Sequence, residues 1–454
     1  MIKYDTKFKF TVVETYPLPQ CLEGATFNIL DNKCYFCFGF CGGWEGWGDT
    51  RVPPQWKVNT HPKTSYTRGF SNKLFIMDLS SQLWTSHTLP LESRSNLDSI
   101  IVDNNLLLAG GYSYTPLTQD ELQYYKKNSI NLPTKKDIFT KNDGFIINFN
   151  EINHNKIGFK NLNIGKSLTE HSIVKNPINN DIYILNGAQY TEQAFKTNDK
   201  MFINRYYLDN KGEFTRDKNI QFAEFKGTLR FASNCFIVNN FIYVLGGCSS
   251  TDEYNKHKGY TESSLANVLD CWRYDISNNT WLQLNDFPLA MSYQKGKLYK
   301  NKYYIFVGGV CYNASINLKK IQSSDLITKN YPASYRHLFR YNGISSLKND
   351  GGAGFGCDID FKNQHSNMIV IYNIETDSYT VSKNTLPLNI SAAPVEIVGD
   401  FLYIGGGEAG VNKIKSGNKN YFFGIQLGCM IKIKISELIT DFNLHPKFLK
   451  NVIS

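Results

Sequence analysis

Long apolar runs are missing from this sequence. No stretch reaches the roughly 18 apolar residues of a membrane-crossing helix. The residues from Met1 to Lys7 lead into no apolar core of signal-peptide length. The expectation is a protein of the reduced cytoplasm, away from membranes. Metal-ligand spacing is equally sparse. Of ten Cys, Cys34-x-x-Cys37 is the pair read as having metal-like spacing, inside an apolar, strand-like stretch. A strand sends positions three apart to opposite faces, so these thiols are not expected to share an ion. The eight His show no repeated placement. Neither a metal nor a cofactor is expected. Basic helices and RNA-binding aromatic signatures are lacking too. The net charge of +9 comes from scattered Lys, densest at Lys126-Lys127 and Lys135-Lys136. Nucleic acid is therefore not expected as a partner, whereas an anionic small ligand is compatible with the charge.

What is abundant is aromatic. The chain carries 28 Tyr and 30 Phe, a richness that suits pleated strands. Hydrophobic residues at 42% and charged residues at 20% supply a real core. A short apolar run ending in a small-residue doublet recurs along the chain. It ends in Gly110-Gly111, Gly246-Gly247, Gly308-Gly309 and Gly406-Gly407, with variants at Asn186-Gly187 and Gly39-Phe40. Turn residues precede each run, such as Asp31-Asn32, Asn239-Asn240 and Gly399-Asp400, and another apolar stretch precedes each turn. That is hairpin grammar repeated six times. Downstream, a large apolar residue and an aromatic stand seven residues apart around a polar turn: Met77 and Trp84, Tyr207 and Phe214, Tyr274 and Trp281, Tyr372 and Tyr379. Leu89-Pro90, Phe287-Pro288 and Leu386-Pro387 then end the unit.

Apolar run, doublet, variable loop and spaced aromatic pair together resemble the kelch repeat, over nearly the whole chain. The resemblance implies an all-β, six-bladed β-propeller of four-stranded antiparallel blades. Read this way, residues 1–454 form one domain, with repeats beginning near 25, 96, 172, 232, 294 and 392. The last repeat lacks a fourth strand. Residues 8–15, followed by Tyr16-Pro17, are expected to supply it and close the ring, leaving 436–454 as a C-terminal tail.

The segments after the doublets are long, at 41–71, 112–143, 188–200, 248–266, 310–366 and 408–426. All join second to third strands, so all are expected on one face, the functional side of a repeat scaffold. The first holds Trp44, Trp47 and Trp56. Trp44 and Trp47 are read either as stacking platforms for a ligand or as packing of the loop onto the propeller. The Gly-rich stretch 351–356 follows no strand-to-helix step, which argues against a nucleotide loop.

Stepping back sixteen residues from the first position of each doublet gives Glu23, Arg94, Glu170, Arg230, Ser292 and Ile390, with His171 and Tyr293 adjacent. This spacing predicts acids and arginines alternating around the axial mouth. Glu170 and Glu23 are then the candidate proton carriers. Arg94, Arg230, His171, Ser292 and Tyr293 are candidate ligand contacts, the arginines holding an acidic group. The competing reading is that these charges only neutralise one another and tie blades together. A carboxylate between two guanidiniums would be a weak base at neutral pH, which places binding ahead of catalysis. The function expected is a binding module that presents its long-loop face to a protein partner or an acidic small ligand. The alternative is a carbohydrate-active enzyme of mutarotase or epimerase type with an axial Glu/Arg pocket. Six-bladed kelch propellers include bacterial sialic-acid mutarotases, to which this chain is similar in blade number.

Overall fold

A computed structural model describes residues 9–10, 13–19, 22–40, 70–114, 138–152, 157–191, 194–198, 200–208, 213–250, 266–288, 291–312, 315–316, 363–366, 368–382, 384–386, 390–416, 419–426 and 428–439. Blade one is built from Thr26–Leu30, Lys33–Cys37, Lys73–Asp78 and Trp84–Thr88, in that order outward from the axis. Blade two follows with Asp98–Val102, Asn105–Ala109, Asp143–Asn148 and Phe159–Asn163. Blade three has Thr169–Lys175, Ile182–Thr191, Ile203–Leu208 and Phe214–Arg216. Blade four has Asn234–Val238, Phe241–Leu245, Trp272–Asp275 and Thr280–Gln283. Blade five has Lys295–Tyr299, Tyr303–Val307, Ile369–Asn373 and Ser378–Val381. Blade six takes Val395–Val398, Phe401–Gly405 and Cys429–Lys434 from one end of the chain and Glu14–Pro17 from the other. Each inner strand touches the inner strands of the blades before and after it, and the last touches the first. The six inner strands therefore surround one axis.

The closing strand differs in position from the sequence reading. Glu14 lies opposite Lys432 and Tyr16 opposite Met430, so Glu14–Pro17 completes blade six. Lys9 and Phe10 instead run parallel to Asn384 and Thr385, beside the end of blade five. The residues that look like a strand terminus, Tyr16-Pro17, are part of the strand itself, and Pro17 sits on an outer edge, where its missing N–H costs no ladder bond.

Second strands are largely apolar on both faces because both are covered by neighbouring blades. In blade one, Cys34 and Phe36 pack to one side with Phe27 and Tyr16, while Tyr35 and Cys37 pack to the other with Leu106 and Leu108. The two thiols thus face opposite seams, and burial pushes Cys34 up to about 12. Inner hairpins of blades one, four and five turn through pairs with positive φ: Asp31-Asn32, Asn239-Asn240 and Lys300-Asn301. This is the backbone of a type I′ turn, whose twist matches the strands it joins.

The spaced aromatics are cross-strand partners. Met77 lies opposite Trp84, Tyr274 opposite Trp281 and Tyr372 opposite Tyr379. Five residues after the first member, Gln82, Asn279 and Asp377 each adopt a φ between +47 and +58°. Asn279 and Asp377 accept the phenolic hydroxyls of Tyr274 and Tyr372 at 2.6 and 2.9 Å. In blade three, Phe214 lies opposite Leu208 rather than Tyr207. Among the described residues no helix is long and apolar enough to cross a membrane.

Candidate functional site

Strand register fixes which residues are equivalent at the axial mouth. In each blade one residue of the inner strand lies opposite the residue just before the doublet. These are Thr26, Asp98, Ser172, Asn234 and Lys295. Pro394 takes the place in blade six, its carbonyl accepting the Gly405 N–H at 3.0 Å. Two residues earlier stand Gly24, Asn96, Glu170, Ala232, Tyr293 and Ala392. All six have a left-handed φ between +50 and +59°. Their backbones link blade to blade. Asn96 N–H donates to the Gly24 carbonyl at 2.9 Å, Glu170 to Asn96 at 3.1 Å, Ala232 to Glu170 at 2.8 Å and Ala392 to Tyr293 at 3.1 Å. Non-glycine residues held at positive φ cost about 1–3 kcal/mol each, and this bonded collar is what holds them there.

The second doublet position packs onto this collar. A Cβ on Gly247 would lie 2.7 Å from the Phe231 carbonyl, at a φ of +112° that L-residues rarely adopt. In blade one the corresponding pair is Phe38-Gly39, with φ values of +62 and +97°. The doublet there is one residue earlier than Gly39-Phe40.

The sixteen-residue step therefore mixes positions. Glu170 belongs to the collar. Glu23 and Ser292 precede collar residues by one, and Arg94 and Arg230 precede them by two. The cause is hairpin length: blade three carries a longer inner turn through Asn176–Asp181, and blade five is longer by one residue.

Nor do the arginines pair with the glutamates of neighbouring blades. Arg230 donates to the Asp270 carboxylate at 2.6 Å, to the Asp270 carbonyl at 2.5 Å, to Gly246 at 3.2 Å and to Thr228 at 2.8 Å. Burial alone would raise Asp270, but Arg230, with Trp272 and Thr228, holds its carboxyl below the usual range. Arg94 makes a similar set in blade two, without the bond to the Asp carbonyl: it donates to the Asp143 carboxylate at 2.7 Å and the Gly110 carbonyl at 3.1 Å, and its guanidinium lies over the Phe145 ring at 4.8 Å. Each guanidinium is thus bound within its own blade by an Asp that opens or precedes the third strand. Both guanidiniums of the expected clamp are engaged in internal ion pairs.

The remaining residues fall as follows. Glu170 is buried and accepts the Asn96 side-chain amide. Burial raises its pKa to about 7, with Glu23 and Asp98 adding to the rise and Lys295 and Asn96 opposing it. His171 is buried, and neither ring nitrogen has a hydrogen-bond partner. Burial lowers it to about 4. Glu23 is buried beside the Phe40 backbone. Ser292 donates toward the Gly247 carbonyl at 2.6 Å and Asn267 at 2.8 Å, and Tyr293 stands edge-on to Phe231. Trp44 and Trp47 lie outside the described residues, as does the 351–356 stretch. Sequence reasoning missed Asn96, Asp98 and Lys295. The signal for the last two was within reach: they are the only charges at the inner-strand position that lies opposite the residue before the doublet.

No protein-family model matches the chain. Among curated proteins it is similar to the Kelch-like protein terF of Aspergillus terreus (strain NIH 2624 / FGSC A1156), 21% identical over 308 residues. That match covers 67% of this chain and about half, 54%, of the relative. Among solved structures it is similar to one described as the structure of YjhT, with a TM-score of 0.53 and 11% identity, covering 89% of this chain and 98% of that one. Repeat grammar, blade register and these likenesses converge: the chain is a six-bladed β-propeller whose repeats are similar to the kelch repeat.

Proposed function

We propose that this propeller is a binding module that engages a protein partner through its long-loop face, in the cytoplasm. The observation that carries this reading is the sequestration of Arg94 and Arg230 by Asp143 and Asp270. With both guanidiniums engaged inside their blades, the case for an acidic ligand held between them weakens, and the loops become the recognition surface.

The loops that follow the doublets carry strands of their own on the same end of the ring. Tyr112–Tyr114 pairs with Ile138–Thr140, and Glu408–Ser416 with Lys419–Gln426. Ala266–Val268 from blade four runs parallel to Ser315–Ile316 from blade five, joining adjacent loops into one deck. Phe40, Phe70 and Tyr112 form an edge-to-face chain across the first two blades at 5.6 and 5.5 Å. A deck built from several blades offers the extended, semi-rigid surface that protein recognition uses.

The test is site-specific photo-crosslinking in the native host. A benzophenone side chain is placed at Lys141 or Lys200 on the loop face, and at Asn239 or Lys300 on the opposite face. The expected result is one partner, competed by excess unlabelled protein, captured from the loop face alone. Equal capture from the opposite turns, or no competable partner from either loop position, overturns the reading.

A further inference from the structure

Asp98 and Lys295 occupy the same position in blades two and five, which are three blades apart in a ring of six and so face each other across the axis. Thr26, Ser172, Asn234 and Pro394 fill the other four places, so these are the only charges at that level. Both residues are partly exposed. No ion pair joins them. Among the described residues Lys295 has no side-chain hydrogen bond or salt bridge. Asp98 is fixed in place, its oxygens accepting the Ile173 N–H at 2.6 Å and the Ser99 N–H at 2.9 Å.

Two orphaned polar groups adjoin this pair. Gln294, next to Lys295, is 3% exposed, and its Nε2 has no partner. His171, next to Glu170, is also 3% exposed with both nitrogens unpartnered. Its ring leans toward blade two, where a Cβ on Gly110 would meet its Cε1 at 2.7 Å, and it lies in the field of both Asp98 and Lys295. Buried donors and acceptors without partners are costly, and a bound polar molecule is one way to satisfy them.

We propose that the loop-face end of the ring of inner strands binds a small zwitterion of amino-acid type, its carboxylate at Lys295 and Gln294 and its ammonium at Asp98 and Glu170. Charge balance selects this class. A simple anion would meet Lys295 but also the carboxylates of Asp98, Glu170 and Glu23. A simple cation would meet the unpaired ammonium. Only a ligand with both charges separated by a few bonds satisfies the two sides together.

The experiment is calorimetric titration of the full chain with the standard amino acids, β-alanine and γ-aminobutyrate. Propionate and ethylamine serve as the one-charge controls. The expected result is saturable binding of at least one zwitterion, with loss of either ligand charge weakening it about tenfold or more, the scale of one hydrogen bond to a charged group. Lys295→Met and Asp98→Asn are each expected to weaken binding by a similar factor. Asp98→Asn keeps an oxygen for Ile173. Lys295→Met breaks no bond of the fold, so it decides the matter if the other variant unfolds. No binding by any amino acid, propionate binding as well as a zwitterion, or an affinity unchanged in Lys295→Met overturns the proposal. Loop-face crosslinking is independent of this outcome.

Discussion

Arg230 and Asp270 meet at 2.6 Å with side chains 0% and 1% exposed, whereas Arg94 and Asp143 meet at 2.7 Å with the Asp side chain 40% exposed. The same pairing therefore stands in two different dielectric settings. Removing one partner of a sealed pair strands the other without water or counter-charge.

Arg230→Ala is accordingly expected to cost about 3–5 kcal/mol. Arg94→Ala leaves Asp143 able to hydrate, and about 2 kcal/mol is expected from lost packing and hydrogen bonds. Urea unfolding of both variants checks the order. Equal losses would show that exposure of the acid does not set the cost.

Glu170 and His171 are expected to mask each other's pH dependence. Glu170 holds its proton more tightly folded than unfolded. Its stabilisation is complete in acid and fades as pH rises from its ordinary value of 4.5 to about 7. His171 holds its proton less tightly folded than unfolded. Its stabilisation is complete above 6.5 and fades as pH falls to about 4. Between these limits the slopes oppose, each at most about 1.4 kcal/mol per pH unit. Relative to the native chain, Glu170→Gln should steepen stability upward with pH between about 4.5 and 6.5. His171→Asn should steepen it downward. Denaturant titrations at three pH values in that window measure both, and slopes shifted in the same direction would refute the coupling.

Ring closure is expected to depend on residues 13–18 and hardly on the segment before them. Removing 1–12 loses the short parallel pairing at Lys9 and Phe10. Removing 1–18 also strips Tyr16 and Leu18 from the core, takes the Pro17 carbonyl from the Trp84 indole, and bares the edge of Cys429–Lys434. Two buried side chains of that size are worth about 3–6 kcal/mol. Thermal unfolding of the two truncations should separate them clearly; similar midpoints would argue that another element seals blade six.

Much of the architecture was readable in the residues. Doublets, turns and spaced aromatics are local features, and each reports a backbone need that only a few residue types meet. The axial mouth was less readable, for two physical reasons. Phe38 fills a left-handed place usually held by Gly, which hid the true doublet in blade one. Unequal inner turns then shifted Glu170 two residues away from its counterparts. The arginines' partners were also out of sight, since Asp143 and Asp270 lie 49 and 40 residues downstream, beyond loops of variable length.

The strand that completes blade six joins residues 418 positions apart. During synthesis Glu14–Pro17 emerges ahead of every other strand of the ring and finds no mate until Cys429–Lys434 leaves the ribosome. At about 5–20 residues per second, that is a wait of roughly 20–80 s. Five blades can pair from their own hairpins in that time, but the sixth cannot. Throughout that interval the growing propeller is an open crescent with an unclaimed edge at each end. Chaperone dependence, misassembly between neighbouring chains and sensitivity to translation rate should all concentrate at this one seam.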